Sequence, residues 1–147
     1  MRRLIFVLLA VVSCVALARC DGTPQKEINA LMDLYTSTNG EQWTRNTNWM
    51  SGDPCDPQNI WFGLLCTSYG SGVRHIWYLS LYRNNLQGTI PSSIADLNNL
   101  QLLQLTSNFL SGTIPEEVFS LSDLLLIDLQ SNKLTGTIPD QIGKLSN

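Results

Sequence analysis

The second half of the chain repeats one pattern of apolar and polar positions three times, at intervals of 24 residues. Each copy opens with apolar residues three positions apart, continues with an alternating stretch, and ends in Gly-Thr-Ile-Pro. The alternating stretch of the first copy, Leu79-Ser80-Leu81, has the period of two that predicts a short β-strand with its leucines buried. Because the interval is fixed and nothing is inserted, the pattern predicts a solenoid of stacked repeats.

One asparagine stands just after the predicted strand in every copy. These residues are Asn84, Asn108 and Asn132. An ordinary loop asparagine would not recur in register with buried leucines. We therefore predict a structural ladder of buried amides that hydrogen bond to backbone groups where the chain leaves each strand. A glycine four residues later permits a tight turn or a positive φ, and the closing proline keeps the preceding isoleucine extended.

The full unit, LxxLxxLxLxxNxLxGxIPxxI, resembles the plant-type leucine-rich repeat, and the resemblance covers about half the chain, from Val73 onward. It implies an α/β fold: a right-handed leucine-rich repeat solenoid with a short parallel sheet on its concave face. We predict three repeats over residues 73–147, plus the truncated start of a fourth at Leu145. Three repeats are about the minimum for a stable stack, and this end of the sequence has no covering element. The sequence is therefore expected to be a fragment, a truncated gene model, or a short product that dimerises or binds through its open end.

The first 18 residues have the layout of a secretory signal peptide. Two arginines precede an apolar run over residues 4–17, and Ala16-Leu17-Ala18 supplies small residues at the spacing of a cleavage site. The run is shorter than the roughly 20 residues that span a bilayer, so an uncleaved anchor is a weaker alternative, as is lipidation at Cys20. We predict cleavage after Ala18 and a secreted or cell-surface protein, with membrane attachment only through a segment absent from this chain.

The net charge of the chain limits the kinds of molecule that it is expected to bind. Removal of residues 1–18 takes away two of the nine basic side chains and leaves seven against twelve acidic ones, a net charge of about −5. The sequence lacks a basic patch, which argues against nucleic acid as a partner. The pI near 4.9 suits a soluble extracellular protein.

Residues 19–72 differ in pattern from the repeats. Thr23-Pro24 predicts the start of a helix, with the threonine as its cap and the proline at its first position. Asn39-Gly40 predicts its end. Four apolar residues in between are predicted to form its buried face: Ile28, Leu31, Met32 and Tyr35.

Two cysteines flank a tryptophan-containing segment after this helix. Cys55 and Cys66 are predicted to form a disulfide, because secreted proteins fold in an oxidising compartment. Zinc ligation is a weaker alternative, since His75 is the only histidine and Cys-x-x-Cys does not occur. Cys20 is left over, and it would pair with another chain, pair with a residue missing from this one, or leave with the signal.

The helix, the tryptophans and the cysteine pair together resemble the N-terminal cap of plant-type leucine-rich repeat proteins. The ten residues between Cys55 and Cys66 form a longer gap than is usual in that family. The resemblance implies a helical, disulfide-stapled cap over residues 19–72. Such a cap covers the row of leucines and the unpaired strand edge that an open solenoid end would expose.

The concave face is the predicted binding surface. The resemblance places there the strand residues that lie between the inward leucines, and exposed aromatic and arginine side chains are typical anchors for proteins or sugars. The predicted ligand-binding residues are Trp77, Tyr78, Ser80, Tyr82, Arg83, Gln104, Thr106, Asp128 and Gln130. Packing of Trp77 and Tyr78 against the cap is an alternative of equal weight. The expected partner is a protein or peptide first and a carbohydrate second.

The sequence gives little support for catalysis. His75 lies just before a strand, and Glu116-Glu117 has no second carboxylate pair to face it across a cleft. Asp53 and Asp56 belong to a proline-containing turn and do not have the spacing of a metal cage. We predict that the chain is not an enzyme and holds no metal or cofactor, while a kinase domain beyond residue 147 stays open.

The resemblance implies a recognition module, namely the N-terminal part of a secreted or cell-surface leucine-rich repeat protein similar to the ectodomains of receptor kinases. Two alternatives stay open. One is a freestanding secreted inhibitor of an extracellular glycosidase, similar to polygalacturonase-inhibiting proteins. The other is a structural, wall-associated leucine-rich repeat protein. The three differ in what would follow residue 147: a membrane span, a cysteine-containing cap, or Pro-rich or Ser-rich sequence.

Overall fold

The computed structural model describes residues 22–68, 70 and 72–137. The predicted signal peptide, Cys20 and the predicted fourth repeat at Leu145 lie outside the described residues. The described chain opens with one helix, α1 (Gln25–Ser37). Its strands are β1 (Leu64–Ser68), β2 (Arg74–Ser80), β3 (Gln87–Gly88), β4 (Leu102–Gln104), β5 (Phe109–Gly112), β6 (Leu126–Asp128) and β7 (Lys133–Leu134).

The strands form two sheets whose registers repeat the period of the sequence. In the first sheet the order is β1-β2-β4-β6, with β1 antiparallel to β2 and the other pairs parallel. Leu79 pairs with Leu103, and Leu103 pairs with Ile127, so each step across the sheet is one repeat. The second sheet, β3-β5-β7, is also parallel. The predicted solenoid with a parallel sheet is confirmed.

A leucine core lies between the first sheet and the return segments. Leu79, Leu81, Leu103 and Leu105 are fully buried, as the alternating pattern predicts. The returns are short 3₁₀ helices that bury one or two apolar residues each, as Ile94 does in the first. Full burial of one such side chain stabilises the fold by about 1.5–3 kcal/mol, so the stacked leucines are the main source of stability.

Asn108 joins two consecutive repeats through its buried side-chain amide. Its Oδ1 accepts hydrogen bonds from the backbone N–H of Asn84 (2.9 Å) and of Leu86 (3.1 Å), both in the preceding repeat. Its Nδ2 donates to the carbonyl of Leu81, also in that repeat, and to the carbonyl of Leu105 in its own, each at 2.8 Å. One side chain therefore satisfies backbone groups of two units.

Asn132 makes the same kind of connection one repeat later, although it is only partly buried and not buried as predicted. Its Oδ1 accepts from the N–H of Leu110 at 3.0 Å, and its Nδ2 donates to the carbonyls of Leu105 and Leu129, each at 2.9 Å. Two of these three partners belong to the second repeat. The amides therefore connect each repeat to the one before it.

Asn84 makes the corresponding connection to the cap. Its Oδ1 accepts from the N–H of Arg45 at 2.7 Å, and its Nδ2 donates to the carbonyl of Arg45 at 2.9 Å. The N–H of Thr44 donates to the backbone carbonyl of Asn84 at 3.1 Å. The cap thus presents its backbone to the first repeat as a preceding repeat would.

The C-terminal end of α1 continues the second sheet. The N–H groups of Gln87 and Thr89 donate to the carbonyls of Thr38 (3.0 Å) and Ser37 (3.3 Å). Carbonyls at the end of a helix lack partners within it, and these two N–H groups supply such partners. Gly88 has φ 122°, and a Cβ there would lie 2.0 Å from the Ser37 carbonyl oxygen, so this close approach requires glycine.

Aromatic side chains fill the cap. Neighbouring rings of Tyr35, Trp43, Trp49 and Trp61 follow one another with centroids 5.2, 4.8 and 5.1 Å apart. Each of the three indole N–H groups donates to a backbone carbonyl, at 2.8–3.0 Å. The cluster buries large apolar area without leaving the indole donors unpaired.

The predicted disulfide between Cys55 and Cys66 is present, with Cα atoms 5.8 Å apart. Cys66 lies in β1, the strand that extends the first sheet on the cap side. The bond therefore ties the tryptophan-containing loop to the sheet. A bridge that closes a short loop typically contributes about 2–4 kcal/mol.

Three details of the helix prediction are wrong. Thr23 is not the cap and Pro24 is not the first helical residue, because α1 begins at Gln25 and Pro24 holds the capping position without a side-chain hydrogen bond. The Thr23 hydroxyl instead donates to Oδ1 of Asp53 at 2.6 Å. Met32 is exposed, because the face that packs on the core is shifted relative to the predicted one. The buried residues of α1 are Glu27, Ala30, Leu31 and Leu34.

Glu27 is a buried carboxylate that sequence patterns did not single out. Only 3% of its surface is exposed. Its Oε2 accepts the N–H of Ile76 at 3.0 Å, and its Oε1 contacts Nδ1 of His75. A buried carboxylate needs such partners, and here they attach the cap helix to the beginning of β2.

Asp53 fastens the first described residues to the cysteine loop. Its carboxylate accepts hydrogen bonds from the hydroxyl and N–H of Thr23 and from the N–H of Cys55. Partial burial raises the pKa of Asp53. The bonds from Thr23 and Cys55, together with the nearby charge of Arg74, outweigh that effect and hold the pKa below its usual value.

This lowered pKa predicts an acid-sensitive contribution to stability. A carboxyl whose pKa is lower folded than unfolded stabilises the fold above its unfolded pKa of about 3.9, and this contribution disappears as the pH falls through the folded pKa. Asp53→Asn should therefore reduce the free energy of unfolding at neutral pH, and the deficit should shrink below about pH 3.9.

Urea unfolding measured from neutral to acidic pH checks this expectation. Asp33→Asn, which changes an exposed carboxyl of α1, is the matched control and should change stability little at any pH. A deficit in Asp53→Asn that stays constant with pH would contradict the account.

Candidate functional site

The side chains that alternate with the buried leucines lie on the other side of the first sheet. We call this surface, predicted to be concave, the open face. Three neighbouring strands supply it: β2 and the residues after it, β4 and the residues after it, and β6. Because the strands pair in register, Ser80 lies beside Gln104, and Gln104 lies beside Asp128. Equivalent positions of the three repeats thus form rows across the sheet.

Six of the nine predicted binding residues surround one shallow depression of about 290 Å³. Its lining residues are Tyr78, Ser80, Tyr82, Gln104, Thr106 and Asp128. Trp77, Arg83 and Gln130 are not among them. Trp77 lies at an irregularity of β2, because Leu65 of β1 pairs with Tyr78 while Cys66 pairs with Ile76, and this pairing skips Trp77.

Internal hydrogen bonds hold part of the lining in place. The Tyr78 hydroxyl donates to Oε1 of Gln104 at 3.0 Å, which fixes the tyrosine ring across two repeats. The Thr106 hydroxyl donates to the backbone carbonyl of Asp128 at 3.2 Å, and Oδ1 of Asp128 accepts the N–H of Gln130, also at 3.2 Å. Side chains fixed in this way lose little conformational entropy when a partner binds.

The aromatic residues of the first repeat have different surroundings. The rings of Trp77 and Tyr78 are 5.8 Å apart, and Trp77 is partly buried. Tyr78 also pairs with Leu65 of the cap strand β1. Tyr82 is the most exposed of the three aromatic residues, with 51% of its surface open. It is therefore the aromatic side chain of the open face with the most area to offer a partner.

The chemistry of the depression suits binding. Two phenol rings supply apolar area, hydroxyl and amide groups supply hydrogen bonds, and Asp128 supplies a negative charge. Within the described ranges, no three histidine, cysteine, aspartate or glutamate side chains come together in a way that could hold a metal ion. No helix in the described part of the chain is long and apolar enough to cross a membrane.

A family model for the Leucine Rich Repeat matches residues 75–97, 99–121 and 123–145. These segments coincide with the three predicted repeats. A probable LRR receptor-like protein kinase of Arabidopsis thaliana is 35% identical over 82 residues, which are 55% of this chain and 9% of the kinase. The chain therefore spans less than a tenth of the length of this relative.

Solved structures from Arabidopsis thaliana share the fold. The BIR2 ectodomain matches with a TM-score of 0.70 and 31% identity, over 82% of this chain and 62% of that one. A structure of the BIR3–SERK2 complex matches with a TM-score of 0.61 and 31% identity, over 79% of this chain and 61% of that one.

The comparisons agree with the capped solenoid and its repeat register. The matching structures are leucine-rich repeat ectodomains, and this similarity supports an extracellular recognition module. The three repeats, the cap and the structural relatives support a plant-type leucine-rich repeat protein.

Proposed function

We propose that this chain is the ligand-recognition part of a receptor-like ectodomain and that a protein or peptide partner binds on its open face. The observation that carries the proposal is the convergence of six side chains from three repeats around one depression. Aromatic residues are enriched among the side chains that dominate binding energy at protein interfaces. Tyr78, fixed by Gln104, and the exposed Tyr82 are the anchors of the proposed interface.

The structural relatives favour a protein partner. The BIR3–SERK2 structure is a complex of two proteins, and its matching chain shares 31% identity with this one. Aromatic rings beside hydroxyl and amide groups also suit a sugar, so a carbohydrate is the second class of ligand to test. A freestanding glycosidase inhibitor or a wall-associated structural protein would use the same solenoid, and the choice among them depends on which partner binds.

We also propose that the protein is secreted and that its chain has three segments: a signal peptide over residues 1–18, a cap over 19–72, and repeats over 73–147. The evidence for the signal is the apolar run that ends in Ala16-Leu17-Ala18. Expression in a secreting host should release a protein whose N-terminal sequence starts at Arg19. Recovery of cell-associated protein that still starts at Met1 would contradict the assignment.

Binding assays with open-face variants test the proposed function. The purified oxidised chain is screened against panels of extracellular protein domains, extracellular glycosidases and wall oligosaccharides. For any binder, Tyr82→Ala should weaken affinity by about 1–2 kcal/mol if the tyrosine is an anchor. The measurement is a titration by surface plasmon resonance or calorimetry.

Phe109→Ala is the matched control. Phe109 is an aromatic residue with nearly the same exposure, 50% against 51% for Tyr82, but it lies in the second sheet. Its replacement should leave the affinity unchanged. Loss of binding in Phe109→Ala but not in Tyr82→Ala would place the interface elsewhere. A binder found only among glycosidases would favour the inhibitor alternative.

A further inference from the structure

Two chemically different rows cross the open face side by side. Strand pairing places Leu65, Tyr78, Leu102 and Leu126 in one line across β1, β2, β4 and β6, which we call the apolar row. Two residues further along the strands, Ser80, Gln104 and Asp128 form the polar row. The repeat pattern predicts the outward positions of Tyr78, Leu102 and Leu126 but not that of Leu65, which belongs to the cap and joins the row only through antiparallel pairing.

The outermost members of the apolar row, among the described residues, are its most exposed ones. Leu65 and Leu126 have 45% and 40% of their surface exposed, while Tyr78 and Leu102 between them are partly covered. Scattered single leucines on a surface need no explanation. Four apolar side chains in register form a continuous strip, and covering such a strip is favourable at roughly 25 cal/mol per Å² of apolar area.

The combination of rows fits an extended segment. Strands lie about 4.8 Å apart, so the row is roughly 14 Å long, the length of about four or five extended residues. An extended peptide presents both apolar side chains and unpaired backbone groups. The apolar row can take the former, and the hydroxyl of Ser80 and the amide of Gln104 can bond the latter. A helix has satisfied its backbone internally, and a sugar lacks an apolar edge of this length.

Charge distinguishes one end of the polar row. Asp128 is the charged residue of the depression lining, and it lies in the third repeat. A carboxylate at the edge of an apolar strip favours a cation and disfavours an anion in a partner, because opposite charges attract and like charges are penalised across an interface. The apolar row and Asp128 therefore select different features of one ligand.

Building on the proposed function, we infer that these rows set the specificity of the open face. The open face binds an extended peptide segment that crosses the strands. The apolar side chains of this peptide lie on the apolar row, and a lysine or arginine lies beside Asp128. The residues that determine specificity are Leu102, Leu126 and Asp128. Tyr82 contributes affinity without deciding the charge of the ligand.

The probe is a phage-displayed library of random linear peptides, selected on the purified oxidised chain. Selection should enrich peptides in which lysine or arginine follows apolar residues. Selection on Asp128→Lys should instead enrich aspartate or glutamate at that place. Asp123→Lys, which makes the same charge change at an exposed position outside the open face, should select the same peptides as the unmodified chain.

A selected peptide, synthesised and titrated, tests the apolar row. Leu126→Gln should weaken its binding about tenfold, because a polar side chain would replace an apolar one that packs on the peptide. Leu125→Gln is the control, since Leu125 is more exposed, at 65%, but lies outside the row. Unchanged thermal unfolding of both variants establishes that they fold.

The outcomes separate this inference from the proposed function. Peptides that lose binding in Tyr82→Ala but show no preference for charge would overturn the specificity and leave the open face as the binding site. Peptides that bind equally well to Tyr82→Ala and to Leu126→Gln would overturn both. Failure of the library to yield any peptide would overturn the peptide assignment, while a protein or carbohydrate ligand found by the earlier screen would still support the open face.

Discussion

An asparagine amide in each repeat, buried in the first two repeats and partly buried in the third, is the interaction on which the rest of this structure depends. A chain that leaves a strand inside a leucine core carries N–H and C=O groups that water cannot reach. Each buried group left unpaired costs about 1–3 kcal/mol. Asn108 supplies the donors and the acceptor from a single side chain and bonds to the preceding repeat as well as its own. Aspartate would lack the donors, and leucine would lack both.

The same amides hold each repeat at a fixed offset from the one before it. Asn84 extends this connection to the cap through the backbone of Arg45, so the first repeat has the same kind of neighbour as the later ones. A fixed offset brings equivalent strand positions into line, and the rows of the open face are the result. The alignment of the binding surface is thus a consequence of the hydrogen bonds that satisfy backbone groups in the core. The side chains at the outward positions are free to vary.

The sequence predicted the features that depend on the spacing of apolar residues within each repeat. Leucines of period two mark the buried side of each strand, and the positions between them gave Tyr78, Ser80 and Gln104 as open-face residues, which the structure brings together. The cysteine pair was also predictable, because the compartment and the spacing limit its options.

Features that depend on long-range contact escaped prediction. Glu27 is buried only because His75 and Ile76 approach it from 48 and 49 residues away. The hydroxyl of Thr23 can accept a helix N–H as a cap or donate to a carboxylate, and only the folded chain shows that it donates to Asp53. Leu65 joins the apolar row through an irregular antiparallel pairing, which the repeat pattern of the sequence does not predict.

The most direct test of the central claim is the stability of Asn108→Ala. Asn98→Ala, an exposed asparagine of the same solenoid, serves as the reference in urea unfolding of the oxidised protein. Loss of an amide that serves several buried backbone groups should lower the free energy of unfolding by about 3 kcal/mol or more, or abolish cooperative unfolding altogether. A change within about 0.5 kcal/mol, the usual range for a surface substitution, would contradict the account.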